Sequence, residues 1–154
     1  AQANEWGYGF SVAGRVNTFG DDDIRFTVNG GEGIGRYIGL GLVPGAQYQP
    51  EAEKLDTIGA ISANVAYRKV IGPWSGNVGV SYLYVDYPQD LTENPNFQQN
   101  DDETSQAFSA YGAILRDVGF GTTVGIEYLH AQRELVGGQS ADTDRITLSV
   151  RKEF

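Results

Sequence analysis

The stretch whose reading decides the fold is DRITLSVRKEF, Asp144 to Phe154. Side chains of an extended chain alternate between two faces, so Ile146, Leu148 and Val150 lie on one side. Arg145, Thr147, Ser149 and Arg151 lie on the other. The result is a strand with one oily face and one charged face, closing on an aromatic residue. The same period recurs upstream. EWGYGFSVAGRVN sets Trp6, Tyr8, Phe10, Val12 and Val16 against Ser11, Arg15 and Asn17. DIRFTVN sets Ile24, Phe26 and Val28 against Arg25, Thr27 and Asn29. AISANVAYRKV, NVGVSYLYVDY and TTVGIEYLHAQRE repeat it, with Arg68, Ser81, Glu127 and Arg133 on the polar sides. TSQAFSAYGAILR reads as extended, but its two faces are not distinguishable. Seven strands are predicted in all, and no segment keeps a 3.6-residue period over three turns.

Composition narrows what such strands build. A chain of 154 residues is expected to be one domain. Its net charge of −9 gives no field that draws in phosphate, which argues against nucleic acid as a partner. With no Cys, disulfides, thiolate zinc sites and thiol nucleophiles are excluded. There is no run of about 18 apolar residues for a membrane helix, yet barrel strands carry a much weaker hydropathy signal. Beginning at Ala1 without Met or a signal core, the chain is expected to be a mature or trimmed form.

The connections carry a second signal. FGDDD, IGPWSG and DVGFG are short, LVGGQSAD is intermediate, and the segments at about 30–54 and 88–103 are long, acidic and rich in Pro, Asn and Gln. Short and long alternate along the chain. In an up-and-down barrel this puts a smooth rim at one end and an elaborated rim at the other, as in outer-membrane barrels. The aromatics Trp6, Tyr8, Phe19, Tyr67, Trp74, Tyr84, Tyr87, Phe120 and Phe154 gather near strand ends, as interfacial girdles do. The polar face carries too many arginines for a packed core. The expected fold is an all-β, antiparallel transmembrane up-and-down β-barrel.

The terminal strand, apolar at every second position back from Phe154 to Ile146, resembles the C-terminal signal of bacterial outer-membrane β-barrels, although Lys152 stands where an apolar residue is usual. That resemblance makes Phe154, Val150 and Leu148 an expected signal for the assembly machinery. More specifically, DDIRFTVNGGEGIGRYIG and IEYLHAQRELVGGQSADTDRITLSVRKEF resemble the C-terminal part of DcaP-like trimeric porins. The resemblance implies a barrel of about 16 strands, a homotrimer, and passage of dicarboxylates and related small anions. It also implies the bacterial outer membrane, with lipid bilayer and lipopolysaccharide as partners. Seven strands do not close a bacterial barrel, which uses even numbers. Either the chain is the C-terminal part of a larger barrel, or Tyr37–Val43 is an eighth strand of a complete small one. The small barrel would be structural or adhesive, acting through its acidic loops, since eight strands enclose only side chains.

On the barrel reading, Arg15, Arg25, Arg68, Arg133, Arg145 and Arg151 line the lumen, with Asn17, Asn29, Asn64, Ser81, Glu127 and Glu153. A guanidinium keeps its charge at any accessible pH and matches carboxylate geometry, so such a wall favours anions. Fourteen of the 20 acids, Asp21 to Asp23 among them, sit in or beside connections, leaving the wall basic. A competing reading pairs each arginine with a nearby carboxylate. The other motifs are weak. The glycines from Gly31 to Gly35 miss a dinucleotide fingerprint, and the Gly- and Pro-rich run after them is not expected to start a helix. His130, the only histidine, reads as a girdle or loop-base residue, and no nucleophile–base set is arranged by the sequence. The acidic runs Asp21–Asp23 and Asp101–Glu103 lack an EF-hand frame and read as solvated loops. No enzyme, cofactor or metal site is therefore expected.

Overall fold

The structure, a computed structural model, describes residues 4–38, 42–49, 53–88 and 102–153. Seven of its strands form one antiparallel sheet: β1 (Tyr8–Asn17), β2 (Asp23–Glu32), β5 (Gly59–Ile71), β6 (Trp74–Asp86), β7 (Thr104–Gly119), β8 (Thr122–Leu135) and β9 (Ser140–Lys152). Each pairs with the next in that order. Between β2 and β5 lie a single helical turn, α1 (Gly35–Ile38), and a separate hairpin of β3 (Ala46–Gln49) and β4 (Lys54–Thr57). The predicted antiparallel meander is thus the observed one. An eighth strand over Tyr37–Val43 is not: Tyr37 and Ile38 belong to α1, residues 42 and 43 form a bend, and residues 39–41 lie outside the described residues. Gly35 explains part of this. A Cβ there would stand 2.5 Å from the Pro44 carbonyl oxygen, so the chain folds tightly back on itself where a strand would run straight.

The connections at one end are tight. β1 turns into β2 through Thr18–Asp22, with the Thr18 amide donating to the Asp22 carbonyl at 2.9 Å. β5 turns into β6 through Gly72, whose φ of +56° lies in the left-handed region that other residues avoid. β7 turns into β8 through Phe120, also left-handed. The end of β2 and the start of β5, and the end of β6 and the start of β7, lie at the opposite end, with the compact turn between β8 and β9.

Register fixes two faces. Rows such as Val12–Val28–Ala63–Tyr82–Phe108 and Val16–Ile24–Tyr67–Val78–Gly112–Tyr128–Ile146 make one face apolar across all seven strands. Phe10, Val12, Val78, Ile126 and Leu148 are each about half exposed or more, because nothing packs on them. Opposed glycine–aromatic pairs, Phe10 with Gly30 and Gly14 with Phe26, lay rings flat along this face. A contiguous apolar surface of this extent is what lipid covers, and it does not suit water.

The apolar band drifts as it crosses the sheet. At the loop end it stops at Tyr8 on β1 but at Ile146 on β9, and Ile146 shares a row with Val16, eight positions along β1. At the turn end it runs from Val16 to Val150, four positions beyond that row. The band therefore shifts by about one residue per strand step. With about 3.3 Å of rise per residue and about 4.8 Å between strands, the strands lean about 35° from the membrane normal, as barrel strands do.

The only buried apolar cluster among the described residues sits on the other face, at the loop end. Val43 and Ile58 of the β2–β5 connection pack against Ala60, Leu83 and Val85, with Ile38, Tyr87 and Ala107 around them. This connection folds inward over the sheet's polar side, although its composition is that of a solvated loop. Its Ile58 is 0% exposed. Ile58→Ala should cost about 2–5 kcal/mol of folding stability, read from urea unfolding in micelles.

Candidate pore-lining face

All six arginines singled out in the sequence fall on the face opposite the apolar band. Arg15 and Arg25 are cross-strand partners, and Arg68 pairs with Asp23. Arg133, Arg145 and Arg151 oppose Ala141, Leu129 and Thr123 on the β8–β9 hairpin. Within the seven strands this face holds six arginines and three carboxylates, Asp23, Asp117 and Glu127. Asn29, Asn64 and Ser81 share it, and Asn17 closes β1 on the same side. The polar lining is internally bonded. Asn29 Nδ2 donates to Ser62 Oγ at 3.2 Å, and the Ser81 and Ser109 hydroxyls meet at 2.7 Å.

Three of the arginines come together. Asp23, 0% exposed, accepts from Arg25 Nε at 2.7 Å and Arg68 Nε at 2.8 Å, and Arg15 Nη2 lies 3.1 Å away. One carboxylate thus collects three guanidiniums that remain open to solvent, leaving a local charge of +2 at the turn end of the sheet. The arginines here are paired with a carboxylate, but three to one. Asp23 had been grouped with the acidic turn. Its parity with Arg25 in DIRF was the signal for its true place.

The other three are separate. Arg133 is anchored at the loop end, donating to Thr104 Oγ1 at 2.8 Å and to the Asp102 carbonyl at 3.0 Å. Arg145 reaches Glu127 at 3.4 Å, and Arg151 lies 2.9 Å from Glu153. Arg133 and Arg145 border a hollow of about 850 Å³ on the concave side, along with Asn29, Asn64, Ser81 and, from the inward connection, Ile38. Leu148 and Val150 lie on the apolar face of β9, while Phe154 lies outside the described residues.

Neighbouring acids have structural duties. Asp22 accepts from the Val70 amide at 2.7 Å, the Tyr67 hydroxyl at 2.8 Å and Lys69 Nζ at 3.2 Å. The Val70 bond first, then Tyr67, holds its carboxyl below the ordinary value of 3.8. A carboxyl with a depressed folded pKa adds stability in full above its unfolded value, and loses it as pH falls through the folded one. Asp22→Asn should therefore be less stable than wild type at pH 7, with the gap closing below about pH 4 in an acid unfolding series. At the loop end, burial pushes the Glu103 carboxyl up, and burial, followed by the Glu103 charge, pushes Tyr87 up to about 12. Tyr87 was expected in a girdle. It instead sits against the inner cluster and donates to the Thr104 carbonyl at 2.9 Å. Trp74 lies on the outward face at the turn end, with Arg116 stacked over its ring at 4.9 Å. The glycine-rich run after β2 does begin a helix, contrary to expectation, but α1 is a single turn and makes no phosphate site.

A tilted, antiparallel meander with an apolar outer face, a basic inner face and a connection folded inward is the architecture of a segment of β-barrel wall. The crystal structure of the outer membrane channel DcaP of Acinetobacter baumannii is similar to this chain with a TM-score of 0.76, at 12% sequence identity. The likeness covers 94% of this chain and 40% of that one. The resemblance read from sequence is thereby borne out at the level of fold. No protein-family model matches the chain, and no curated protein matches it.

Proposed function

We propose that the chain forms part of the wall of a passive outer-membrane porin, a water-filled channel for small hydrophilic solutes that favours anions. The observation that carries this reading is the charge of the inner face within the seven strands, six arginines against three carboxylates, while the chain as a whole is at −9. Basic groups on a pore wall select anions without a tight site. Dicarboxylates as the preferred solutes, a homotrimeric assembly, and contact with lipopolysaccharide and the assembly machinery rest on the resemblance to DcaP-like porins. A small barrel acting through its loops is less well supported, because its eighth strand is missing among the described residues and the β2–β5 connection packs inward. Planar-bilayer recording of the full-length protein under a salt gradient tests the proposal. The expected result is discrete channels with an anion-selective reversal potential, reduced when Arg25, Arg68 and Arg145 are all replaced by Ala. Channels whose reversal potential does not respond to the triple change would remove these residues from the pathway.

A further inference from the structure

The outward face changes character at the loop end of β8 and β9. Beyond Tyr128 and Ile146, the next outward positions are His130 and Asp144, directly opposed, followed by Gln132 and Asp142. His130 Nδ1 lies 2.9 Å from Asp144 Oδ1. One ligand atom from each of His130, Asp142 and Asp144 lies within 4.8 Å of the other two. Two carboxylates brought this close repel unless a cation joins them. Among the described residues no Lys or Arg pairs with Asp142 or Asp144, and Arg133 and Arg145 stand on the opposite face of the same hairpin. The Tyr128 hydroxyl donates to Asp144 Oδ1 at 2.6 Å and holds that carboxylate in place from behind.

We propose that His130, Asp142 and Asp144 bind a divalent transition-metal ion of the zinc class on the outward face of the β8–β9 hairpin, at the loop-side edge of the apolar band. Tetrahedral zinc takes imidazole nitrogen and carboxylate oxygen at about 2.0–2.2 Å, which puts neighbouring ligand atoms about 3.3 Å apart. The closest pair stands at 2.9 Å and all three fall within 4.8 Å, so side-chain rotation closes the site without moving the strands. Cross-strand register fixes where the three side chains start, which limits the ordering cost of binding. The imidazole sets the class of ion, since magnesium and calcium prefer all-oxygen shells whereas zinc takes mixed nitrogen and oxygen donors. A fourth position stays open to water. The site lies on the lipid side of the sheet and does not depend on the channel reading.

The test uses the metal-stripped full-length protein in detergent micelles, titrated with zinc chloride by equilibrium dialysis against excess magnesium. Wild type is expected to bind one zinc per chain more than His130→Ala. Asp144→Asn should weaken that site at least tenfold, and Tyr128→Phe about tenfold, as loss of a group that orients a ligand does. These side chains are exposed enough that their variants should fold, and heat-dependent migration on gels verifies it. His130→Ala with wild-type zinc stoichiometry would overturn the assignment. So would failure of zinc to bind wild type in the excess magnesium, which would mark a plain carboxylate cluster.

Discussion

Val80→Arg is expected to cost about 2–4 kcal/mol of stability in a bilayer, the penalty for a guanidinium at mid-depth on the lipid face of a barrel. Val80 lies near the middle of the outward run from Trp74 to Tyr84 on β6, flanked in register by Val65 and Ala110. It has no polar partner there and is too deep for a long side chain to reach the headgroups cheaply. The next residue, Ser81, faces the concave side beside Ser109. Ser81→Arg should leave stability nearly unchanged and add a positive charge to the inner face. The pair isolates parity from every other property of the strand. Urea unfolding from liposomes supplies the measurement. If the apolar face met water, Val80→Arg would cost nothing, and an equal cost for both variants would mean the inner face is packed.

Asp23→Ala should raise anion preference and lower stability together. The carboxylate is the shared acceptor of Arg15, Arg25 and Arg68, so its removal takes the local charge from +2 to +3 and leaves three guanidiniums facing each other. A unit charge about 6 Å from a passing ion in water-like surroundings is worth about 0.7 kcal/mol, reduced by salt. The same charge repels a cation by as much as it attracts an anion, so the anion-to-cation permeability ratio should rise about three- to tenfold, most in dilute electrolyte. The sign is opposite to that of the Arg25, Arg68, Arg145 triple change. An unchanged reversal potential in both would place the cluster outside the ion path. Lower stability with no change in selectivity would make Asp23 a purely structural clasp.

Strand identity and facing were legible because they depend on a two-residue period that solvent and lipid enforce strand by strand. Ile146, Leu148 and Val150 announced their face in the first few residues read. β7 was not legible, since Ala107, Ser109 and Ala113 on one side are as small as Ala110 and Gly112 on the other. Only its neighbours decide the matter, by opposing Tyr111 to Gly79, where a Cβ would stand 2.5 Å from the ring. The β2–β5 connection misled for a related reason. Val43 closes an apolar run, YIGLGLV, that reads as well as a strand, and what makes it and Ile58 core is the surface of Leu83 and Val85, far away in the chain. The candidate site was legible as a list of arginines but not as an arrangement. Asp23 looked like one of three loop acids until register set it opposite Arg68.

The lean of the strands has a consequence for how those arginines are met. Arg15, Arg25 and Arg145 share one register row, which in an upright sheet would make them a ring. Because the band slides about one residue per strand, that row crosses the membrane obliquely. Arg145 then lies nearer the loop end, below Arg133, whereas Arg15 and Arg25 lie nearer the turn end with Arg68 and Arg151. In the channel reading, an entering anion would descend a spiral stair, handed from one guanidinium to the next, with no single step deep enough to detain it.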